Sequence, residues 1–413
     1  MKSVCFPKNF KSFILTNTLG TFLEYLDATL YAFFATTIAS IFFPEKNAAT
    51  ALLLAMGVFS IAYIARPFGG LLFGYFGDKF GRRNTLAANI LLMALATVAI
   101  GSIPSYARLG VASPILLMLC RILQGLAVSS EYTGSSIYLL ESFPKSHGLL
   151  SGMSTAAGSL GIFFASLVAM SFSHFHCESS WRLAFLFSGC VIGIVGFYLR
   201  KNQPESTAFL QAADAHLLHE KPALVLIKKY KKDFISGILL SMYIGAALYT
   251  ILVYSSTYLL RLGMTSQEAL TISTLLALAE AIASPIFGHL ADRYSIGSIL
   301  LLATLSMTVA ALPLFLLITL NIFWITLLAF GFLAIITAAF DGPLAAYLVH
   351  KFHVSVRHSG FSLSYNLGGA VIGGITPLAL TYFIDKTAIS IFPAFVLIGF
   401  ALLATLVLLK EKS

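Results

Sequence analysis

Long apolar segments separated by short polar ones run along the whole chain of 413 residues. A helix that crosses a bilayer needs about 20 apolar residues. Cutting the sequence at charged residues, prolines and glycine clusters leaves twelve segments of that kind. They are numbered here as spans 1 to 12: 13–43, 50–76, 84–103, 114–140, 148–173, 182–200, 233–260, 268–291, 296–319, 322–349, 359–384 and 388–409. The pattern therefore predicts an all-α integral membrane protein with twelve transmembrane helices.

Only one polar interval between the spans is long. Residues 201–232 separate span 6 from span 7 and carry four lysines within 228–232. We interpret this interval as a cytoplasmic linker between two six-helix bundles, 1–200 and 233–413. The other connections are too short to hold a soluble domain.

Composition and charge agree with this interpretation. The chain is 58% hydrophobic and 10% charged, with a mean hydropathy of +0.89, which excludes an ordinary soluble domain. Placing both termini in the cytoplasm puts 19 of the 26 lysines and arginines on that side and five outside, with Arg66 and Arg121 in the membrane. This bias follows the positive-inside rule. The net charge of +9 therefore reports topology and contact with lipid heads, and it does not indicate a nucleic-acid partner.

A glycine-rich segment at 69–83 runs directly into a charged turn. Its sequence is Gly-Gly-Leu-Leu-Phe-Gly-Tyr-Phe-Gly-Asp-Lys-Phe-Gly-Arg-Arg. Glycines at 69, 70 and 74 leave a flat helix face that a neighbouring helix can approach closely. The segment resembles the signature between helices 2 and 3 of the major facilitator superfamily. That resemblance implies a conformational latch formed by Asp78, Arg82 and Arg83.

A partial copy of this segment occurs 214 positions later. Residues 74–78 read Gly-Tyr-Phe-Gly-Asp, and 288–292 read Gly-His-Leu-Ala-Asp before Arg293. The second copy follows span 8, where a duplication of six helices would place it, but it lacks the Gly-Arg-Arg ending. It predicts either an asymmetric latch at Asp292 and Arg293 or a simple turn.

Seven charged side chains fall inside the predicted spans and away from their ends: Glu24, Asp27, Arg66, Arg121, Glu131, Glu280 and Asp341. A charge near the centre of a spanning helix costs about 2.5–3.5 kcal/mol on insertion scales, so each one is a functional candidate. Glu24 and Asp27 are three residues apart and share one face of span 1. Arg121, Gln124 and Glu131 lie within roughly 80° of one another on span 4. Two such stripes would line a polar cavity.

Asp27 and Arg121 support two interpretations. In the first, Arg121 alternates between Asp27 and the substrate, so that proton binding at Asp27 is linked to transport. In the second, they form a permanent ion pair between spans 1 and 4. Glu131 is another candidate proton site, and Glu24 fits packing or gating as well as coupling. Arg66 is interpreted as a gate or packing charge and not as a ligand.

The C-terminal half carries its own candidates. Glu280 and Asp341 are predicted to face each other across spans 8 and 10. The sequence Asp-Gly-Pro at 341–343 predicts a helix break near the cavity. Three histidines follow span 10 and are interpreted as solvated loop residues, not as a metal site or a pH sensor: His350, His353 and His358. Four tyrosines of span 7 do not share one face, so only one or two would line the cavity: Tyr243, Tyr249, Tyr254 and Tyr258.

A more specific resemblance rests on motifs spread over nearly the whole chain. They are Glu24-Tyr25-Leu26-Asp27 with Leu30-Tyr31, Arg66-Pro67-Phe68-Gly69-Gly70, Arg121 to Gly125 with Glu131-Tyr132-Thr133-Gly134, Trp181-Arg182, Pro204-Glu205-Ser206, and Arg357 to Pro377 with Tyr365-Asn366. Together they resemble the metabolite:proton symporter family of the major facilitator superfamily, and most closely its proline and glycine-betaine symporters. Departures occur at Ser129-Ser130, where the family has two glycines, and at His350 and His353.

The resemblance implies a proton-coupled importer of a small polar metabolite in the inner membrane of a bacterium. It implies two parallel six-helix bundles with the substrate between them, no cofactor beyond the proton gradient, no metal, and a monomer. The proton-coupling candidates are Asp27, Glu131 and Glu24. The expected substrate-binding residues are Arg121, Tyr31, Gln124, Tyr249, Tyr365 and Asn366. The expected latch or gate residues are Asp78, Arg82, Arg83, Asp292, Arg293 and Arg66.

Other functions keep parts of this picture. A symporter of an organic anion, such as a di- or tricarboxylate, 2-oxoglutarate or shikimate, would use Arg121 as a carboxylate clamp. Export predicts a Gly-Pro bend on span 5, where 158–161 reads Gly-Ser-Leu-Gly. A membrane enzyme would need a catalytic cluster, and a sensor a soluble output domain; the sequence shows neither.

Overall fold

The structure is a computed structural model that describes residues 10–45, 47–80, 82–129, 131–143, 145–173, 180–198, 226, 228–353 and 356–412. For 10–16, 74–80, 82–86, 142, 173 and 412 it describes the backbone alone. The predicted linker lies largely outside these residues.

The described helices follow the predicted order of spans. The N-terminal spans are Phe10–Phe33 with Ala35–Phe42 (span 1), Ala48–Phe80 (span 2), Arg82–Ser102 (span 3), Ala112–Val128 with Glu131–Ser142 (span 4), His147–Ser173 (span 5) and Ser180–Val191 with the π-helical turn Ile192–Gly196 (span 6). The C-terminal spans are Lys231–Leu248, the π-helical turn Tyr249–Val253 and Ser255–Arg261 (span 7), Ser266–Arg293 (span 8), Ile296–Ile318 (span 9), Phe323–Lys351 (span 10), Arg357–Tyr365, the π-helical turn Asn366–Ala370 and Val371–Thr387 (span 11), and Phe392–Lys412 (span 12).

The lengths of these helices fit a membrane. Within the described residues, nine helices are long and apolar enough to cross a bilayer, and the two helices of span 1, bent by 58°, form a tenth. Two shorter apolar helices, Ala87–Ser102 and Ser180–Gly196, complete spans 3 and 6. The twelve predicted spans are thus confirmed, and span 7 begins at Lys231, two residues earlier than predicted.

The predicted helix break at Pro343 is wrong, because span 10 is one continuous helix from Phe323 to Lys351. Neighbouring helices stabilise a proline inside a membrane helix when their side chains bind the backbone groups around it. Here the Ser151 hydroxyl of span 5 donates to the Gly342 carbonyl at 2.6 Å, and Thr155 donates to the Asp341 carbonyl at 3.3 Å.

Each half is held together by close helix crossings. Span 2 crosses span 4 so closely that a Cβ atom at Gly69 would lie 2.2 Å from the Leu126 carbonyl oxygen, and one at Gly125 would lie 1.9 Å from the Ala62 oxygen. A Cβ at Gly70 meets nothing within 4 Å. The predicted flat face is therefore correct at Gly69 and wrong at Gly70, because neighbouring helix residues point about 100° apart.

The halves meet along spans 2, 4 and 5 of one and spans 8, 10 and 11 of the other. Span 5 packs on spans 8 and 10, span 2 packs on span 11, and the second helix of span 4 packs on spans 10 and 11. We call the side of the bundle where span 12 ends at Lys412 the basal face and the opposite side the distal face. Spans 5 and 11 begin at the basal face, and spans 2 and 8 begin at the distal face.

Candidate substrate and proton site

Asp27 lies at the centre of a buried network inside the N-terminal half. The Thr97 hydroxyl donates to it, and the Gln124 amide donates to both of its carboxylate oxygens at 3.0 and 3.1 Å. The amide oxygen of Gln124 accepts an N–H from Arg121 at 2.9 Å. Asp27 and Arg121 are therefore joined through Gln124, and the permanent ion pair of the second interpretation is not formed.

Arg121 has spare donors in a buried, aromatic environment. Its guanidinium carbon lies 4.6 Å from the ring centre of Tyr31 and 5.4 Å from that of Phe59. The Tyr31 hydroxyl is engaged elsewhere, since it donates to the Ala55 carbonyl at 3.0 Å. The Nε and Nη2 atoms of Arg121 are buried and make no hydrogen bond within the described residues. Buried donors of this kind are rare, so Arg121 stays available for an acceptor.

Glu24 and Arg66 form a second buried charge pair, between spans 1 and 2. Arg66 Nη1 lies 3.2 Å from Glu24 Oε1. The other Glu24 oxygen accepts the backbone N–H of Tyr132 at 3.1 Å. The Arg66 guanidinium also stacks on Tyr63, 4.4 Å from its ring centre. Both side chains of the pair are more than nine-tenths buried.

A small pocket lies beside this pair, between the halves. It is lined by Tyr25, Arg66, Ile244, Gly245, Leu248, Tyr249, Tyr365, Gly369 and Ala370. The hydroxyl groups of Tyr25 and Tyr365 are 3.1 Å apart across the interface. The cavity wall thus combines aromatic rings with one guanidinium group.

The wall includes two residues predicted as substrate contacts and two that the sequence did not assign to the substrate site. Tyr249 and Tyr365, both predicted as substrate contacts, line it. Arg66, interpreted from sequence as a gate or packing charge, lines it too. Tyr25 was not singled out, although it stands between the two acidic residues of span 1; that position was the available signal.

Other predicted ligands lie away from this wall. The Asn366 amide donates to the Ser129 and Ser362 carbonyls, each at 2.9 Å, and so joins span 11 to span 4. Glu131 is buried where the second helix of span 4 begins. Tyr31 and Gln124 belong to the Asp27 network, which Phe59 connects to the cavity because its ring packs 6.2 Å from that of Tyr249.

The halves touch at the basal face through a group of contacts that we call the basal lock. Asp292 accepts the backbone N–H groups of Gly148 and Leu149, at 2.7 and 2.9 Å, at the start of span 5. His147 Nδ1 lies 2.6 Å from His350 Nε2. Arg357 binds Glu141 at 2.9 Å. Asp292 therefore sits at the interface between the halves, where a latch would act.

The basal lock corrects one prediction about the histidines. His350 belongs to span 10, because that helix continues to Lys351, and it pairs with His147 instead of standing in a solvated loop. His353 stacks against Tyr230. Within the described chain no group of three His, Cys, Asp or Glu residues could hold a metal. The side chains of Asp78, Arg82 and Arg83 lie outside the described residues, so the first latch stays a prediction.

Hydrogen bonds also join the two halves on the distal side of the cavity. The Ser60 hydroxyl donates to the Gly374 carbonyl at 2.7 Å, and Ser166 and Thr274 share a hydrogen bond of 2.8 Å closer to the distal face. A second cavity of about 470 Å³ lies among the distal ends of spans 1, 5, 7 and 8. The halves are therefore in contact on the distal side of the pocket lined by Arg66, and the second cavity lies beyond these contacts.

Comparisons with known proteins agree with this architecture. A family model described as Major Facilitator Superfamily matches residues 18–377. The proline/betaine transporter of Escherichia coli K12 is 30% identical over 418 residues, covering 97% of this chain and 83% of the relative. A putative proline/betaine transporter of Staphylococcus aureus COL is 30% identical over 414 residues, covering 97% and 88%.

Solved structures share the fold. A D-xylose-proton symporter superposes with a TM-score of 0.76 at 18% identity, covering 96% of each chain. The partially occluded inward-open xylose transporter of E. coli gives 0.77 at 18% identity, covering 97% of each. These proteins are transporters and not enzymes. The chain is a multi-span membrane protein that belongs to the Major Facilitator Superfamily.

Proposed function

We propose that this transporter imports a small zwitterion, such as proline or betaine, together with a proton. The observation that carries the proposal is the pocket between the halves in which the Arg66 guanidinium lies beside Tyr25, Tyr249 and Tyr365. A guanidinium binds a carboxylate with two parallel hydrogen bonds, and tyrosine rings attract a cationic group. The names of both relatives point to the same cargo.

The Glu24–Arg66 pair supplies a route for coupling. A substrate carboxylate that binds Arg66 competes with Glu24 for the same guanidinium. Glu24 would then be a buried carboxylate without its cation, and such groups take up a proton instead of staying charged. Substrate and proton binding would thereby favour each other.

Asp27 is the second coupling group in this proposal. Its charge is held by Thr97 and Gln124, and Gln124 passes the interaction on to Arg121. Loss of the Asp27 charge on protonation would free Gln124 and Arg121 to change partners. The guanidinium of Arg121, which lies over the rings of Tyr31 and Phe59, could then turn its unpaired N–H groups toward another acceptor.

We further propose that the basal face is cytoplasmic, so that the distal cavity faces the outside. This orientation is the one that satisfies the positive-inside rule and places both termini in the cytoplasm of a bacterium, with the chain in the inner membrane. Large apolar side chains on the outer surface of the described helices would contact lipid, among them Leu95, Val309, Trp324 and Leu328. The transporter would work as a monomer and without a cofactor.

An organic-anion symporter is the competing proposal. It is favoured by one observation, the two unpaired buried donors of Arg121, because a second guanidinium could bind a second carboxylate. A zwitterion has one carboxylate and would need only Arg66. The two cargo classes therefore make different demands on the two arginines.

Uptake into proteoliposomes tests both proposals. Labelled proline and betaine should accumulate when an inward pH gradient is imposed, and unlabelled dicarboxylates should not compete. Asp27→Asn and Glu24→Gln should keep exchange of labelled for unlabelled substrate but lose accumulation. An Asp27→Asn variant that still concentrates substrate removes Asp27 from the coupling, and competition by dicarboxylates instead of proline would favour the anion.

A further inference from the structure

Two acidic residues that the proposed function does not use lie in the C-terminal half. Glu280 of span 8 is 0% exposed and Asp341 of span 10 is 3% exposed. Spans 8 and 10 cross tightly beside them, since a Cβ atom at Gly342 would lie 2.5 Å from the Ser284 carbonyl oxygen, and the two carboxyl groups interact electrostatically. Neither forms an ion pair within the described residues, and one oxygen of each, Glu280 Oε1 and Asp341 Oδ1, makes no hydrogen bond there.

The N-terminal half covers this pair with hydroxyl groups. The Ser159 hydroxyl of span 5 donates to Glu280 Oε2 at 2.9 Å. The Tyr132 hydroxyl of span 4 is buried and interacts electrostatically with both carboxyl groups. Ser159 and Tyr132, which belong to the N-terminal half, therefore contribute to the environment of the two carboxyl groups in the C-terminal half.

Two buried carboxylates at one place cannot both keep their charge without a cation. They share a proton instead and titrate as a pair. A bound metal ion would need more ligands, and no group of three His, Cys, Asp or Glu occurs among the described residues. A proton is thus the ligand that the chemistry of the pair favours.

We propose that Glu280 and Asp341 form a second proton-binding site, in which the two carboxyl groups share one proton while the halves are closed. When the halves separate, Ser159 leaves Glu280 and water reaches both groups. The shared proton then passes to water, and two hydrated carboxylates remain. Proton binding at this pair does not depend on which substrate is transported. Only the coupling of that proton to transport rests on the proposed function.

The site also adjoins the substrate cavity. Asp341 interacts electrostatically with Tyr25 and Tyr365, which line that cavity. Closure of the halves around a ligand would therefore place Ser159 on Glu280 and the cavity tyrosines near Asp341 in the same movement. In the closed state a proton would thus be bound in the C-terminal half, and its binding would not require Asp27 or Glu24.

Infrared difference spectroscopy on the full chain in liposomes tests the proposal without any cargo. The wild-type protein at neutral pH should show the C=O band of a protonated carboxylic acid that shifts in D₂O. The double variant Glu280→Gln/Asp341→Asn should lose one such band. The control Glu141→Gln removes a carboxylate from the basal lock and should keep it.

A milder pair of variants guards against misfolding. Ser159→Ala removes one hydroxyl and no charge, so the band should persist and change frequency because its hydrogen bond is gone. Ser166→Ala on the same span removes a hydroxyl that bonds Thr274 instead and should leave the frequency unchanged. Equal effects of the two, or no acid band missing from the double variant, would overturn the proposal. A wild-type band that disappears when sodium replaces potassium would overturn it in favour of a cation site.

Discussion

Gln124 joins two buried charges because its amide carries both a donor and an acceptor. The N–H groups reach Asp27 and the oxygen accepts from Arg121. A direct ion pair buried in the membrane would hold the two charges to each other, since separating them leaves each uncompensated. A neutral bridge lets either charge change its partner while the other stays bonded.

Gln124→Leu removes this bridge while keeping the approximate size of the side chain. Asp27 keeps only Thr97, and Arg121 loses its one hydrogen bond within the described residues. We expect uptake to fall strongly and the free energy of unfolding to drop by about 1–3 kcal/mol, the cost of buried groups left unpaired. Transport in proteoliposomes and denaturant titration in detergent would measure both.

The matched control is Gln267→Leu, since Gln267 is exposed where span 8 begins. It should leave uptake and stability near the wild-type values. If Gln124→Leu behaves like this control, the bridge has no role.

Sequence reasoning could identify the members of this network but not how they pair. The cost of inserting charges marks Asp27 and Arg121, and helical spacing adds Gln124. Spacing along one helix does not determine how it turns toward its neighbours. The pairing of Glu24 with Arg66, and so the place of Arg66 in the cavity wall, depends on how spans 1 and 2 meet.

At the helix crossings of this protein, close approach depends on the single glycine that faces the partner helix and not on the number of glycines in the segment. Gly69 and Gly70 are adjacent, yet only Gly69 faces span 4. The sequence could predict that span 2 has a small-residue face, but it could not choose between neighbours without the partner helix. The unbroken helix at Pro343 follows the same logic, because span 5 supplies the hydroxyl groups that stabilise it.

Gly69→Ala and Gly70→Ala form a matched pair of variants for this crossing. A methyl group at Gly69 would lie 2.2 Å from the backbone oxygen of Leu126, whereas one at Gly70 meets open space. Overpacking typically costs about 1–3 kcal/mol, so Gly69→Ala should lower the melting temperature. Gly70→Ala should leave it unchanged or raise it slightly, because alanine favours the helix. Equal melting temperatures would show that the crossing differs from the one described.

At the scale of the whole molecule, the two halves meet through backbone and short polar groups. A Cβ at Gly148 would lie 2.3 Å from the Gly288 carbonyl oxygen, and Asp292 caps the start of span 5 beside it. The internal repeat predicts where this contact occurs, since 288–292 is the second copy of the glycine-rich segment. It does not predict that the Asp binds backbone N–H groups of the other half.

Asp292→Asn should weaken the basal lock. A carboxylate at a helix N-terminus is favoured by about 0.3–1 kcal/mol over a neutral group, and a shift of that size changes the population of an open state several-fold. Spin labels at Lys145 and Tyr294, one on each half, would report the opening as longer distances across the basal face.

Arg293→Gln provides the control for that measurement. Arg293 is an exposed neighbour that the sequence placed in the same latch. If Arg293→Gln lengthens the distances as much as Asp292→Asn does, the overall charge at the basal face holds the halves together, and the hydrogen bonds from Asp292 to the start of span 5 do not.

Two π-helical turns, Tyr249–Val253 and Asn366–Ala370, supply three residues of the cavity wall: Tyr249, Gly369 and Ala370. A π turn holds one residue more than an α turn. Passing that extra residue along the helix would rotate the segment on one side by about 100° relative to the other. Spans 7 and 11 could therefore exchange the side chains that face a ligand while their axes stay in place. Such a rotation would give the site a means of adjusting its selectivity that needs no opening of either face.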